Sequence, residues 1–260
     1  MFLFSCANQK SENKELMNSE LYVIGTSHKN TNFENTDTLI NILNKIKPDV
    51  ILIELDSSFF TDNFDFDTKE YPDILESSNE NNAVYIYKKS HKVEIRPFDI
   101  SSRNEFYDKT DFFKKQSSMY SEISELYDKG GLNNCSKHNF ELIDFTLNLT
   151  DNIKYKSLEE LNNLPAQKLT ELRQKILYDK TIEIVKSNNL LNKWVEFAEL
   201  QKNFWIKRNK KMGDNIKKIT EFYNNKRIVV FVGATHKYFI MNLLETSQSD
   251  NFVIKDYFNE

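Results

Sequence analysis

Short uninterrupted apolar runs divide this chain and predict buried strands. Leu21–Ile24, Val50–Ile53 and Ile228–Val232 consist of large apolar residues throughout, and the mixed run Val93–Phe98 is a fourth candidate. A strand that is covered on both faces of a parallel sheet reads as a continuous apolar run rather than an alternating one. The runs therefore predict a mostly parallel sheet, with residues 252–254 as an edge strand.

Between these runs, apolar residues recur every three or four positions, which predicts helices. The first such segment, residues 39–46, ends just before Pro48. Residues 79–90 are ambiguous, and we predict a helix because parallel neighbouring strands need a crossover between them. Residues 101 to about 225 are helical by pattern, with a break at Gly130-Gly131. The predicted fold class is α/β (α+β): a central, mostly parallel β-sheet flanked by helices, with a large helical insert at about 101–225.

The first residues differ in character from the rest. A short apolar run ends at Cys6 and a polar stretch follows, and Leu3–Cys6 resembles a bacterial lipobox. We predict that residues 1–19 are a truncated lipoprotein signal and tether, with Cys6 as the lipidation site, and that residues 20–260 form one domain. This places the protein in the bacterial cell envelope, with the lipid anchor as its membrane contact; without the anchor we expect a soluble protein.

Charge and composition narrow the choice of partners. The net charge is −4, the signs mostly alternate, and no basic block suggests a nucleic-acid footprint. No run of about 18 apolar residues predicts a membrane span. We therefore expect no nucleic-acid partner, and the charge pattern does not choose between a peptide and a small molecule as the substrate.

Two matched motifs carry the strongest functional signal. The chain has only 5 glycines, and two of them stand three positions before one of its 4 histidines. Both motifs, Gly25–His28 and Gly233–His236, follow an apolar strand, and the carboxyl ends of parallel strands are where open α/β sheets place their sites. Glycine permits a positive φ or a close approach at such a turn. We treat His91 and His138, in polar stretches, as surface residues.

Two carboxylates end the other predicted strands. Glu54 follows the second strand within Glu54–Asp56, and Asp99 follows the third. A carboxylate beside a buried strand is costly unless it is paired or binds a cation. Glu54 is therefore a candidate metal ligand or general base. Asp99 is a candidate metal ligand or a helix cap.

A basic residue falls on the apolar face of the long helix around 190–223. Gln201, Arg208 and Asn215 lie on this face at intervals of seven. A buried guanidinium needs a carboxylate or an anionic ligand. We expect Arg208 to meet Glu54, Asp99 or a substrate oxyanion.

Together these residues resemble the TraB/GumN/Tiki group of proteins. The resemblance rests on Gly25–His28, on Pro48–Val50 leading to Glu54–Asp56, on Arg208-Asn209 with Met212, and on Val232–His236, and it spans about residues 21–245. It implies a helix-flanked sheet with paired Gly-x-x-His motifs at the site, and metal-dependent peptide cleavage. The chain departs from the group at residues 237–239, Lys-Tyr-Phe, where members often have a glycine.

The leading hypothesis is accordingly a metal-dependent hydrolase, with peptide bonds as its expected substrate. His28 and His236 would bind a divalent ion (Zn, Mn or Co) together with Glu54 or Asp99, and the bound water would attack the carbonyl. The remaining candidates are Arg208 and Asn209, which would hold the site or stabilise the oxyanion, and Gly25, Gly233 and Asp56 as motif residues.

Two alternatives stay open. One is a metal-independent hydrolase similar to erythromycin esterases, with histidine as the general base. The other is a non-enzymatic lipoprotein that binds haem or another ligand.

Overall fold

The computed structural model describes residues 18–247 and 251–259 and contains one five-stranded sheet. The strands are β1 (Ser19–Thr26), β2 (Val50–Ile53), β3 (Glu94–Pro97), β4 (Arg227–Gly233) and β5 (Phe252–Lys255). All neighbours pair in parallel, in the order β3-β2-β4-β1-β5. The sheet confirms the predicted α/β class.

α-Helices make up most of the remaining regular structure, with short 3-10 helices at Ser57–Phe59, Asn189–Trp194 and Tyr257–Asn259. Within the described residues the α-helices are α1 (Thr36–Ile46), α2 (Asn79–Ser90), α3 (Arg103–Thr110), α4 (Phe112–Asp128), α5 (Asn134–Asp151), α6 (Leu158–Asn162), α7 (Leu164–Ser187), α8 (Val195–Phe222) and α9 (Ala234–Thr246). The crossover helix expected at 79–90 is confirmed as α2. The helical segment expected between about 101 and 225 is confirmed as α3 to α8, with Gly130-Gly131 between α4 and α5.

The sheet is buried on both faces, which explains its continuous apolar strands. Along β4, Ile228, Val230 and Val232 pack on one face with residues of α8 and α9. Val229 and Phe231 pack on the other face with residues of α1 and α2. All five are at most 1% exposed.

The helical insert has an apolar core of its own, and α8 joins it to the sheet. Phe197 and Ala198, near the start of α8, pack with α4, α5 and α7. Met212 and Ile216, further along the same helix, pack against the sheet. Arg208 lies on α8 between these two contacts, so it is held at the junction of both cores.

The strand ends differ slightly from the sequence prediction. Ser19, which we assigned to the tether, belongs to β1 and is fully buried, because its hydroxyl donates to the Tyr223 carbonyl and accepts from the Lys226 amide. Cys6 and most of the expected tether lie outside the described residues. No helix in the described part of the chain has the length and apolarity needed to cross a membrane.

The strand register brings four strand ends to one edge of the sheet. Thr26 of β1 pairs with Gly233 of β4. Ile53 of β2 lies next to Phe231 of β4 on one side and Pro97 of β3 on the other. The residues that follow β1, β2, β3 and β4 therefore meet above the carboxyl edge.

Candidate functional site

His28 is the exposed histidine of the site. It follows β1 with a left-handed backbone, at φ 59°, and its side chain is 44% exposed. Its Nδ1 lies 2.8 Å from Oε1 of Glu80. Burial lowers the pKa of His28, but the hydrogen bond and charge of Glu80 and the charges of Glu54 and Glu34 outweigh it and raise the pKa above 6.5.

Glu80 comes from the first turn of α2, where Ser78 caps the helix. Its side chain is 3% exposed. Burial raises the pKa of Glu80, but the hydrogen bond and charge of His28 lower it to about 2. Glu80 is thus a buried carboxylate that is ionised at neutral pH, and it orients His28 through Nδ1 of the imidazole.

Glu54 lies between the two histidines. Its Oε2 accepts the Gly233 N–H at 2.7 Å and is 3.9 Å from Nε2 of His28. Its Oε1 accepts from Nη2 of Arg208 at 2.7 Å and is 3.6 Å from Nε2 of His236. Burial raises the pKa of Glu54, but His236, Arg208, His28 and the Gly233 N–H together hold it below its usual range.

Arg208 meets both carboxylates that the sequence offered as partners. Its Nε and Nη2 donate to Asp99 at 2.9 and 2.8 Å, and Nη2 also donates to Glu54. Its Nη1 lies 3.2 Å from Nε2 of His236. All three guanidinium nitrogens are engaged inside the protein, so Arg208 holds the site together.

Asp99 is fully satisfied by donors. Besides Arg208, it accepts the Ile100 N–H at 2.8 Å and Nη1 of Arg103 at 2.8 Å, and its side chain has no exposed surface. A metal ion on Asp99 would have to displace these bonds. Arg103 itself is one-quarter exposed.

His236 is the buried histidine, 5% exposed, in the first turn of α9. Asn209 donates its amide to the Trp205 carbonyl, so its Oδ1 faces Nδ1 of His236 at 2.8 Å and accepts a proton from it. Nε2 is then the acceptor for Arg208. Trp205 also stacks on the ring at 4.5 Å. Burial lowers the pKa of His236 to about 4, so the ring is neutral at pH 7.

The glycines are required by close approach and not by positive φ. Gly233 has φ −53°, and a Cβ there would lie 2.8 Å from Nε2 of His28 and 3.4 Å from both Glu54 Oε2 and His236 Cδ2. Gly233 therefore sits where the two motifs meet. A Cβ on Gly25 would lie 3.2 Å from the Ala234 Cα.

A buried amide connects the two motifs. Asn162 accepts the Gly25 N–H at 2.6 Å and donates to the Gly25 carbonyl at 2.8 Å, as a neighbouring strand would. Lys237, next to His236, donates to the Asn162 Oδ1 at 2.7 Å. Burial lowers the pKa of Lys237 to about 8. The side chain of Lys237 thus supports the first motif.

A fourth buried carboxylate, Glu34, fixes the loop before His28. Both oxygens of Glu34 accept the Ser27 N–H, at 2.8 and 2.9 Å, and Glu34 is fully buried. Burial raises the pKa of Glu34. Asp56 is also structural: it caps the turn at Ser58 and accepts the Ser102 N–H.

A pocket of about 210 Å³ opens at His28. Its lining includes Glu54, Glu80, Ser78 and Arg103. Asn209 and Asp99 do not line it. The structure thus brings His28, His236, Glu54, Asp99, Arg208 and Asn209 into one bonded cluster, but only His28 and Glu54 of these face this pocket.

The donor set fits a metal ion only in part. Among residues 18–247 and 251–259, no group of three or more His, Cys, Asp or Glu side chains is arranged to hold one. Nε2 of His236 is bonded to a guanidinium, which already places a positive charge beside Glu54. Of the four ligands predicted from the sequence, His28 and Glu54 are the two that line the pocket, where Nε2 and Oε2 are 3.9 Å apart.

Sequence reasoning missed Glu80, Arg103 and Asn162. Glu80 is in the first turn of a helix, where acidic residues are common for reasons unrelated to a site. Arg103 begins α3, and no motif around it in the sequence marks it. Asn162 is in a five-residue helix inside the insert. Only the tertiary fold brings these three to the strand ends.

Fold and site define an all-parallel α/β protein with a histidine–carboxylate–arginine cluster at the carboxyl edge of its sheet. The chain matches no protein-family model, no curated protein and no solved structure.

Proposed function

We propose that the protein is a hydrolase in which His28 is the general base and Glu80 orients it. The observation that carries this proposal is the 2.8 Å bond between Nδ1 of an open histidine and a buried carboxylate. With Nδ1 donating to Glu80, the lone pair is on Nε2, which faces Glu54 and the pocket. A histidine in this arrangement can take a proton from water near neutral pH.

The reaction uses a water molecule between His28 and Glu54. Nε2 and Oε2 are 3.9 Å apart, so a water at about 2.8 Å from each can bond to both. His28 takes one proton of this water as its oxygen attacks a carbonyl carbon. The same proton then passes from His28 to the leaving group as the bond to that group breaks.

Arg103 is the cation in the pocket that can meet the developing oxyanion. It makes one bond, from Nη1 to Asp99, and a guanidinium has five N–H donors. Arg208 and Asn209, the sequence candidates for this role, are occupied by Glu54, Asp99 and His236. Their role in the proposal is to position these groups.

The substrate group at the scissile bond is small. The pocket of about 210 Å³ is below the roughly 300–1,000 Å³ typical of sites for drug-sized ligands. It suits one residue of a peptide or a short acyl group of a small molecule.

A divalent ion on His28 Nε2 and Glu54 Oε2 is the second candidate. The Glu80–His28 pair favours it, because metal-bound histidines commonly donate their other N–H to a carboxylate. When bound, Zn, Mn or Co would supply a water of lowered pKa. In this version the protein would cleave peptides with the help of the metal, as the resemblance to the TraB/GumN/Tiki group implies. The same version includes a lipid anchor at Cys6 that holds the protein in the bacterial cell envelope.

The test is hydrolysis by the full chain of a panel of p-nitrophenyl esters and fluorogenic peptides, with and without EDTA. We expect turnover that survives EDTA and falls by about 10²- to 10⁴-fold in His28→Gln. The control His91→Gln changes an exposed histidine outside the site and should leave the rate unchanged.

The other outcomes are equally informative. Loss of turnover in EDTA and its recovery with added Zn, Mn or Co would favour the metal-dependent version. No turnover, with a Soret band or another co-purifying ligand, would favour the binding protein. A rate that is the same in His28→Gln and the parent would contradict both hydrolase versions.

A further inference from the structure

A second cleft, of about 900 Å³, lies between α8 and the connection from β3 to α3. Four apolar side chains form much of its wall: Ile100, Phe106, Leu200 and Phe204. The rings of Phe106 and Phe204 stack with their centroids 4.1 Å apart and their planes at 4°, so these two side chains pack against each other in the wall. The cleft shares no lining residue with the pocket at His28.

Three lysines of α8 line the same cleft. Lys207, Lys210 and Lys211 are all exposed, and among the described residues none of them lies within 4 Å of an acidic group. Asp214 is the acidic residue of α8 that lines the cleft with them. Since Asp99 is neutralised by Arg208, the lining carries an excess of two positive charges.

Apolar walls beside unpaired cations are complementary to an amphipathic anion. An alkyl chain gains free energy when it leaves water for the apolar wall, and a carboxylate is attracted by the adjacent ammonium groups. The spacing Lys207–Lys211 places two ammonium groups on one helix face. A neutral apolar ligand would leave their mutual repulsion in place.

We propose that this cleft binds a long-chain monocarboxylate, with its alkyl chain against Phe106, Leu200 and Phe204 and its carboxylate at Lys207 and Lys211. The inference is independent of the proposed hydrolysis. Arg208 and Asp99 form the part of the wall closest to the catalytic cluster, and Arg208 also bonds Glu54 and His236. The ligand therefore lies next to the ion pairs that hold the site.

The test is calorimetric titration of the full chain with dodecanoate below its micelle concentration. We expect saturable binding that weakens at least roughly tenfold in the double variant Lys207→Gln/Lys211→Gln. The matched control Lys114→Gln/Lys115→Gln removes two exposed lysines from α4 and should bind as the parent does. His28→Gln should also bind dodecanoate unchanged, which separates this proposal from the hydrolase.

Two comparison ligands test the chemistry of the site. Dodecyltrimethylammonium has the same chain with a positive head and should bind at least tenfold more weakly than dodecanoate. ATP, a compact polyanion, should not compete with dodecanoate. Equal binding of both head groups, equal binding by the double variant, or displacement of dodecanoate by ATP would each overturn the proposal.

Discussion

The pKa values of the two motif histidines are shifted in opposite directions by their Nδ1 partners and by burial. His28 donates to a carboxylate, which favours the imidazolium, and its pKa lies above 6.5. His236 donates to the neutral amide of Asn209 and faces the guanidinium of Arg208, and its pKa is about 4. One motif therefore supplies a proton acceptor, and the other a neutral anchor for the cluster.

The addition of a single Cβ atom at Gly233 should lower the rate of hydrolysis. In Gly233→Ala the new Cβ would lie 2.8 Å from Nε2 of His28, so the imidazole or the α9 backbone must move. We expect a loss of about 100-fold in kcat/KM, because a displacement near 1 Å at a reacting group costs about that much.

Gly213→Ala is the matched control. Gly213 lies in α8, and the three atoms nearest to its added Cβ belong to the flexible side chain of Leu243, the nearest at 3.1 Å. Its kcat/KM should stay close to that of the parent. Comparable losses in both variants would show that the close approach at Gly233 has no special role.

Much of the residue-scale site could be predicted. Scarce glycines spaced three positions before histidines indicated His28 and His236, and the cost of a charge beside a buried strand indicated Glu54. Arg208 was found because a guanidinium on an apolar helix face needs a partner. Glu80 was not found, since a glutamate in the first turn of a helix is common in any protein.

At the scale of elements, the side chain of Asn162 takes the place of a neighbouring strand at the carboxyl end of β1. β5 pairs with β1 only from Ser19 to Tyr22, so among the residues that the structure describes Gly25 has no strand partner on that side. The side chain of Asn162 provides the missing donor and acceptor. It thereby fixes the end of β1 from which His28 projects.

Truncation of that side chain should cost stability. In Asn162→Ala, the buried N–H and carbonyl of Gly25 and the amine of Lys237 all lose a hydrogen-bond partner. We expect the free energy of unfolding in urea to fall by about 2 kcal/mol. Asn148→Ala, at an exposed position of α5, is the control, with an expected change within about 0.5 kcal/mol; similar losses in the two variants would contradict the role of Asn162.

Strands could be predicted from the sequence where burial on both faces of the sheet requires a continuous run of apolar residues. The apolar runs of β1, β2 and β4 were recognised because helices cover both faces of the sheet, and the edge strand β5 was recognised from its short apolar run. The start of β1 was missed because Ser19 is buried through hydrogen bonds and not through apolar contact. The short helix α6 has too few residues to show a period.

At the scale of the whole molecule, the site lies where two apolar cores meet. α8 packs its first part in the insert and its later part on the sheet, and Arg208 and Asn209 project from between them. Four buried carboxylates, two arginines and two histidines are gathered there. The fold must therefore be stable enough to offset the cost of burying these carboxylates and Arg208.

The low pKa of His236 in the folded chain predicts how the free energy of unfolding depends on pH. Its pKa is about 4 in the folded chain against 6.5 in the unfolded one, so between these values the unfolded chain binds more protons. Stability therefore decreases as the pH falls through this window, by about 2 kcal/mol between pH 7 and pH 5.

Urea unfolding at both pH values tests this dependence. The difference between pH 7 and pH 5 should be smaller by about 2 kcal/mol in His236→Gln than in the parent, because the contributions of other groups largely cancel in the comparison. An unchanged difference would mean that His236 is not buried in its neutral form.

The central claim is that Glu80 makes His28 the proton acceptor of the site, and NMR titration of the four imidazoles tests it without a substrate. His28→Gln and His236→Gln assign the two site resonances. The account predicts a pKa for His28 above 6.5 that falls in Glu80→Gln, while the control Glu76→Gln, an exposed position before α2, leaves it unchanged. A pKa for His28 at or below 6.5, or one that Glu80→Gln does not lower, would contradict the account.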